Sequence, residues 1–309
     1  MNNKLLANLV AFITVIIWGL TFISTKILLT VWSPLEILFI RFALGWLALC
    51  MLTRAKIPFY NGKLEFIYML AGLSGVTLYF LLENVALTMT FAANVSVLVS
   101  TTPFFTAICA WRILGAQAMS LNFYFGFVLA MLGIYLISFS DQNLALNPFG
   151  DFLALLASFA WAFYSIFTRI LGKSGYDSLA ITRRIFFYGL VFMLPVMIFQ
   201  PFSFKLNKLF NPVYLLNFLF LGLGASALCF VSWTWCIKKL GASHASIWIY
   251  LVPVITVISA SLILNEHICR QAWLGIILTF AGLAISEKSV VEFFLNLIGR
   301  SRKFIFSNR

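Results

Sequence analysis

Apolar residues in this chain come in long runs separated by short polar breaks. Ten such runs can be delimited, at 5–29, 34–53, 64–87, 92–114, 121–140, 149–171, 177–200, 212–238, 242–264 and 270–288. Each is near the ~20 residues a helix needs to cross a bilayer core. In hydrocarbon the backbone must bond to itself, so runs of this length predict helices. Almost nothing remains for a soluble catalytic domain. The expected fold class is an all-α membrane protein with ten transmembrane helices. The first run is too long for a cleaved signal peptide, and no small-residue cleavage pattern follows it.

Composition supports that class. The chain is 62% hydrophobic and only 10% charged, with a mean hydropathy of +1.02. So few charges cannot cover a soluble surface. The net charge of +12 raises nucleic acid as a partner, but the distribution of bases argues against it. With a cytoplasmic N-terminus, Lys4, Arg54, Lys56, Lys63, Arg112, Arg169, Lys173, Lys238, Lys239, Lys288 and the bases of the tail fall on the inner side. Lys26, Lys205, Lys208 and Arg270 fall outside. That bias is the positive-inside pattern, and it places both termini in the cytoplasm. The five cysteines are scattered without a CxxC, so neither a disulfide framework nor a zinc site is expected. No GxxxxGK[ST] occurs, which removes ATP as a driver. No cofactor or metal is expected.

The chain also repeats itself. Offset 143, the distance from Trp18 to Trp161, also carries Lys26 onto Arg169 and Arg41 onto Arg184. Offset 150 carries Gly72 onto Gly222, Ala92 onto Ala242, Ser96 onto Ser246 and Pro103 onto Pro253; offset 149 carries Gly126 onto Gly275 and Gly133 onto Gly282. The chain thus divides into 5–140, 149–288 and a basic tail, 289–309. Five helices per half is an odd number, so the second half enters the membrane from the other side. Inverted repeats of this kind are a common plan among secondary transporters.

"IIWGLTFISTK" opens the first half and "IRFALGWL" lies in its second run. "NVSVLVSTTPFFTAI" and "ASIWIYLVPVITVI" lie in the fourth and ninth. With the doubled five-helix plan, these resemble the drug/metabolite transporter superfamily, EamA-like branch, over about residues 8–287. The resemblance implies an inner-membrane carrier with a central cavity lined by both halves; many relatives export amino acids or other small metabolites. It also implies a gate acid after the ninth run, present as Glu266. The first-half counterpart is replaced by Gly115-Ala116-Gln117.

The candidate chemistry starts at Glu83, in the stretch "FLLENVAL". A charge within a span is costly and usually faces a cavity or a partner. Glu83 shares the outer third of the bilayer with Arg41 and Lys26, so either base is a candidate partner. At offset 150 its counterpart is Trp233; a residue that breaks the symmetry suits this protein's own substrate. Three readings stay open: a structural ion pair or a side chain that snorkels to the interface, a cavity residue that binds a cationic group or a proton, or part of a gate. Arg41 and Arg184 either tie helices to carbonyls or capture a carboxylate. Arg183 points elsewhere, toward the inner interface. Thr14, Trp18, Thr21 and Thr25 share one helix face, matched by Ala157, Trp161, Tyr164 and Thr168. Such a stripe is a cavity wall or a packing seam. Tyr79, Asn94, Thr101 and Trp248 complete the candidate lining, and Pro103 and Pro253 are candidate hinges. His244, near the inner end of the ninth run, is either a proton relay or an interfacial hydrogen-bonding residue, and "NEH" at His267 is not an HExxH metal motif. The tail reads as an interfacial helix on anionic lipid.

The function expected is a secondary transporter, exporting an amino acid or other small amphipathic metabolite by alternating access. Efflux of cationic drugs is the nearest alternative, and a channel a more distant one. The expected partners are the small-molecule substrate, protons as a candidate coupling ion, and membrane lipid. Monomer and homodimer both remain open.

Overall fold

The computed structural model describes residues 3–53, 62–89, 92–116, 119–138, 147–199, 206–264 and 270–286. Glu266, His267 and the tail lie outside the described residues. So does the side chain of Asn94, which itself falls in a helix.

The described residues form a helical bundle. The helices are α1 Asn3–Leu29, α2 Pro34–Leu52, α3 Gly62–Gly72, α4 Tyr79–Met89, α5 Ala92–Val99, α6 Thr102–Leu114, α7 Leu121–Ser138, α8 Pro148–Gly172, α9 Ser178–Phe199, the short α10 Leu206–Leu209, α11 Pro212–Leu219, α12 Cys229–Leu240, α13 Ala242–Ser246, α14 Val252–Leu264 and α15 Arg270–Ser286. Wider π-helical turns, Leu73–Leu78 and Phe220–Leu228, join α3 to α4 and α11 to α12. A 3₁₀ turn, Ile247–Leu251, joins α13 to α14. Among the described residues, seven stretches are long and apolar enough to cross a membrane. They are Lys4–Leu29, Pro34–Leu52, Gly62–Met89, Pro148–Gly172, Ser178–Ile198, Pro212–Leu240 and Ala242–Ser259. Shorter apolar helices cover Thr102–Leu114, Leu121–Gly133 and Trp273–Gly282.

The helix starts are written locally. Ser33-Pro34, Asn147-Pro148 and Asn211-Pro212 each place a capping side chain before a proline, whose missing N–H is not needed in a first turn. Ser33 Oγ accepts from the Glu36 amide while Glu36 Oε2 accepts from the Ser33 amide, a reciprocal cap. Gly115, at φ 61°, ends α6 in the left-handed region that favours glycine.

Packing interleaves the two halves of the chain. α1 lies on α12, α14 and the second π turn, whereas α8 lies on α3, α4, α6 and the first π turn. α2 crosses the second π turn at Gly45, where an added Cβ would sit 3.0 Å from the Gly222 carbonyl oxygen. α9 crosses the first, where Thr77 Oγ1 donates to the Gly189 carbonyl at 2.9 Å. Among the described residues, α7 and α15 make the most extensive helix–helix contact. Leu121, Phe125, Val128, Leu132 and Tyr135 make an exposed apolar stripe on α7, and Trp273, Ile277 and Phe280 one on α15. Exposed stripes of this size suit lipid rather than water.

The α7–α15 contact depends on glycine. A Cβ on Gly282 would lie 2.5 Å from both the Ala130 amide nitrogen and the Gly126 carbonyl oxygen. Gly282→Leu is therefore expected to cost about 1–3 kcal/mol by overpacking. The readout is a lowered thermal unfolding midpoint in detergent, and an unchanged midpoint would refute the close contact.

Candidate functional site

At the middle of the bundle lies a small cavity of about 30 Å³, walled by Trp18, Thr21 and Phe22 of α1, Tyr79, Phe80 and Glu83 of α4, Val99, Thr102, Trp161, Ile249 and Val252. Four of the walls are aromatic rings in contact. Trp18 meets Trp161 edge-on at 5.2 Å between centroids, Trp161 meets Tyr79 at 4.6 Å, and Tyr79 meets Phe80 at 4.6 Å. Trp233 backs Trp18 at 4.9 Å. Phe230, fully buried, touches Trp18, Phe42, Phe80, Trp161, Tyr164 and Phe186 and holds the cluster from behind.

Glu83 is the one charged side chain in this lining, at 2% exposure. Tyr79, one turn earlier on the same helix face, and Arg41 are the polar groups that interact with it. Arg41 is coupled to it by charge rather than by a hydrogen bond. Lys26 Nζ instead donates to the Leu87 carbonyl at 2.8 Å, at the end of α4. Arg41 is 1% exposed; its Nε donates to Ser226 Oγ at 3.0 Å, and its Cζ lies over the Phe80 ring at 4.4 Å. Its Nη1 and Nη2 have no hydrogen-bond partner. The indole N–H of Trp161 and the Tyr164 hydroxyl are also buried without partners, whereas Trp18 Nε1 donates to the Ala225 carbonyl at 3.1 Å.

The chemistry of this arrangement is specific. A carboxyl facing a cage of ring faces suits an ammonium or other organic cation. The partnerless Trp161 N–H adds a donor. The cavity has room for about one water, so a larger guest requires the helices to part.

A larger cavity, about 610 Å³, opens among the ends of α6, α8 and α15 and the starts of α7 and α13. Arg169, Lys173 and His244 give it a basic rim. Arg169 Nη1 there donates to the carbonyls of Ile237 and Lys238. This is the counterpart, at offsets 143 and 150, of the bond from Lys26 to Leu87.

The model of the EamA-like transporter family matches this chain twice, over residues 5–139 and 148–287. The chain belongs to the EamA-like transporter family. It is 29% identical to an uncharacterized transporter of Archaeoglobus fulgidus over 93% of this chain and 98% of that one. It is 28% identical to the uncharacterized inner membrane transporter YedA of Escherichia coli K12, over 88% and 87%. A solved crystal structure superposes with a TM-score of 0.71 at 15% identity, covering 92% of this chain and 96% of the other, and shows the shared fold.

Within this EamA-like fold the sequence-predicted residues divide. Trp18, Thr21, Tyr79, Glu83 and Trp161 come together at the small cavity. Thr14 lies deeper in α1, its hydroxyl spent on the Val10 carbonyl. Thr25 is buried farther along α1. Thr101 bonds back to Leu98, and the break between α5 and α6 turns its neighbour Thr102 into the lining instead. Tyr164 and Trp233 are second-layer supports, and Trp248 sits toward the α1 start on Asn8. Pro103 and Pro253 each stand just after a break in regular helix. Of the two repeat-related arginines, Arg41 holds a hydroxyl, and Arg184 holds the Glu65 carboxylate through Nε at 2.9 Å and Nη2 at 2.6 Å. Arg183 does take a carbonyl, that of Thr53. Phe80 and Phe230 were missed, although they are partners at offset 150; a search confined to polar residues passes over them.

The Arg184–Glu65 pair, with side chains 11% and 14% exposed, pins α9 to α3, and the Tyr188 hydroxyl joins it. Glu65→Ala removes the carboxylate that this largely buried guanidinium grips. The expected loss is about 3 kcal/mol of stability, read by thermal unfolding in detergent. A variant as stable as the parent would refute it.

Proposed function

We propose that this transporter is a secondary carrier that exports a small amphipathic metabolite with a cationic amino group. It would be a ten-helix protein of two inverted five-helix halves, with both termini in the cytoplasm and Glu83 at the centre of the substrate site. The observation that carries the reading is the Glu83 carboxyl facing a cavity of Trp18, Trp161, Tyr79 and Phe80. A dry aromatic pocket stabilises an organic cation through ring faces, and one carboxylate supplies the counter-charge.

The doubled plan has support from both halves. The family model matches twice. Equivalent bases, Lys26 and Arg169, hold equivalent carbonyls, and each half breaks its helix ahead of a proline, Pro103 or Pro253. Adding the three shorter apolar helices to the seven long stretches gives ten crossings. With that parity, the basic-rimmed cavity faces the cytoplasm and the small one lies at mid-depth. Alternating access then has a physical form. Helices α1, α4, α6 and α8 part around the small cavity, which joins first one side and then the other. Bending at the breaks before Pro103 and Pro253 would let half-helices move without unfolding. Coupling to protons would run through Glu83, which holds either a proton or the substrate's cation.

The test is uptake by proteoliposomes of labelled amines and amino acids, with and without a pH gradient. Glu83→Gln keeps the size and removes the charge, so uptake is expected to fall about ten- to a hundredfold, the worth of one charge-assisted contact. Wild-type rates in the variant at every pH would sink the assignment.

A further inference from the structure

We infer that Arg41 is the second pole of the substrate site. Its guanidinium takes a carboxylate on the same molecule whose ammonium sits at Glu83, and Phe80 is the ring that must swing aside. The substrate is then a zwitterion of the amino-acid type. This deepens the transport reading and rests on it.

Arg41 is almost fully buried, yet both of its terminal nitrogens lack any hydrogen-bond partner. A guanidinium carries five N–H donors in a rigid fork, and here the Nε alone is used, on Ser226. The rings of Phe42 and Phe80, at 5.2 and 4.4 Å from Cζ, offer only their faces. Leaving a buried charge so poorly bonded is costly unless another state satisfies it. Phe80 is also a wall of the cavity that holds Glu83. One aromatic side chain therefore separates the free end of the fork from the bound guest.

The counterpart arginine demonstrates what the fork holds when it is satisfied. Arg184, at offset 143, grips the carboxylate of Glu65 with two nitrogens. The residue corresponding to Glu65 at offset 150 is Leu215, which is apolar. Arg41 therefore has no carboxylate in such a grip: it feels the charge of Glu83 without bonding it, and its Nε turns to Ser226. A carboxylate supplied by the guest restores the bidentate geometry that Arg184 already shows.

The test uses matched pairs that differ only in the carboxylate: leucine against isopentylamine, and phenylalanine against phenethylamine. Binding to the purified full-length protein in nanodiscs is measured by equilibrium titration. In the parent protein each amino acid is expected to bind about tenfold tighter than its amine, the worth of one bidentate pair. Arg41→Gln should bring that ratio to about one, whatever it does to the amine affinity itself. Phe80→Leu, which leaves Arg41 in place and thins the screen, should raise the ratio, and it decides the matter if Arg41→Gln does not fold. A parent ratio of one or less, or a preference that survives Arg41→Gln, overturns the inference. Binding of the amines alone, lost in Glu83→Gln, overturns the carboxylate pole and leaves the cation reading standing. Binding of neither series overturns both.

Discussion

A carbonyl in hydrocarbon has no water to turn to, and this constraint governs the molecule. Regular helix satisfies it without help. Each departure from regular helix releases carbonyls that must be met by a side chain. This protein departs often: at two π turns, at a 3₁₀ turn, at the break between α5 and α6, and at helix ends. Its polar side chains follow. Trp18 bonds Ala225, Thr77 bonds Gly189, Lys26 bonds Leu87, and Arg169 bonds Ile237 and Lys238. Thr14 and Thr101 bond their own helices. Most intramembrane polarity is thereby committed to architecture. Among the buried polar atoms left without a partner, the Arg41 fork, the Trp161 N–H and the Tyr164 hydroxyl belong to the cluster around Glu83.

The second organising fact is where the two halves disagree. They agree on the stapling bases, the π turns and the glycine contacts, which are matters of folding. They disagree where Glu83 stands opposite Trp233, and where Arg184 hydrogen-bonds the Glu65 carboxylate while Arg41 hydrogen-bonds the Ser226 hydroxyl. Duplication supplies a scaffold, and chemistry appears where one copy departs from the other. The Trp233 ring fills with apolar surface the place where a second acid would add like charge.

The sequence made the helices legible because hydrocarbon thickness sets their length. The runs read at 5–29, 34–53 and 149–171 correspond to helices Asn3–Leu29, Pro34–Leu52 and Pro148–Gly172. Their interruptions were less legible. The run 92–114 is two helices, and 64–87 contains a π turn, because hydropathy measures transfer and is blind to hydrogen-bond register. The site was half readable. Helical spacing put Trp18 and Thr21 on one face and Tyr79 with Glu83 on another, so their convergence needed only packing. Arg41 was readable as important, but not in direction. A long side chain reaches several neighbours, and Ser226 is adjacent only once α2 crosses the second π turn. Thr102 replaced Thr101 because the break before α6 rotates the chain by a residue.

Trp161 and Trp233 each lie about 5 Å from Trp18, one edge-on and one tilted, and Trp18 and Trp161 wall the central cavity. Rings this close share their excited states, so the trio acts as one chromophore rather than three. Its near-ultraviolet dichroism and emission depend on how the indoles are tilted. The protein therefore carries, without any label, an optical gauge at the place where its helices must separate.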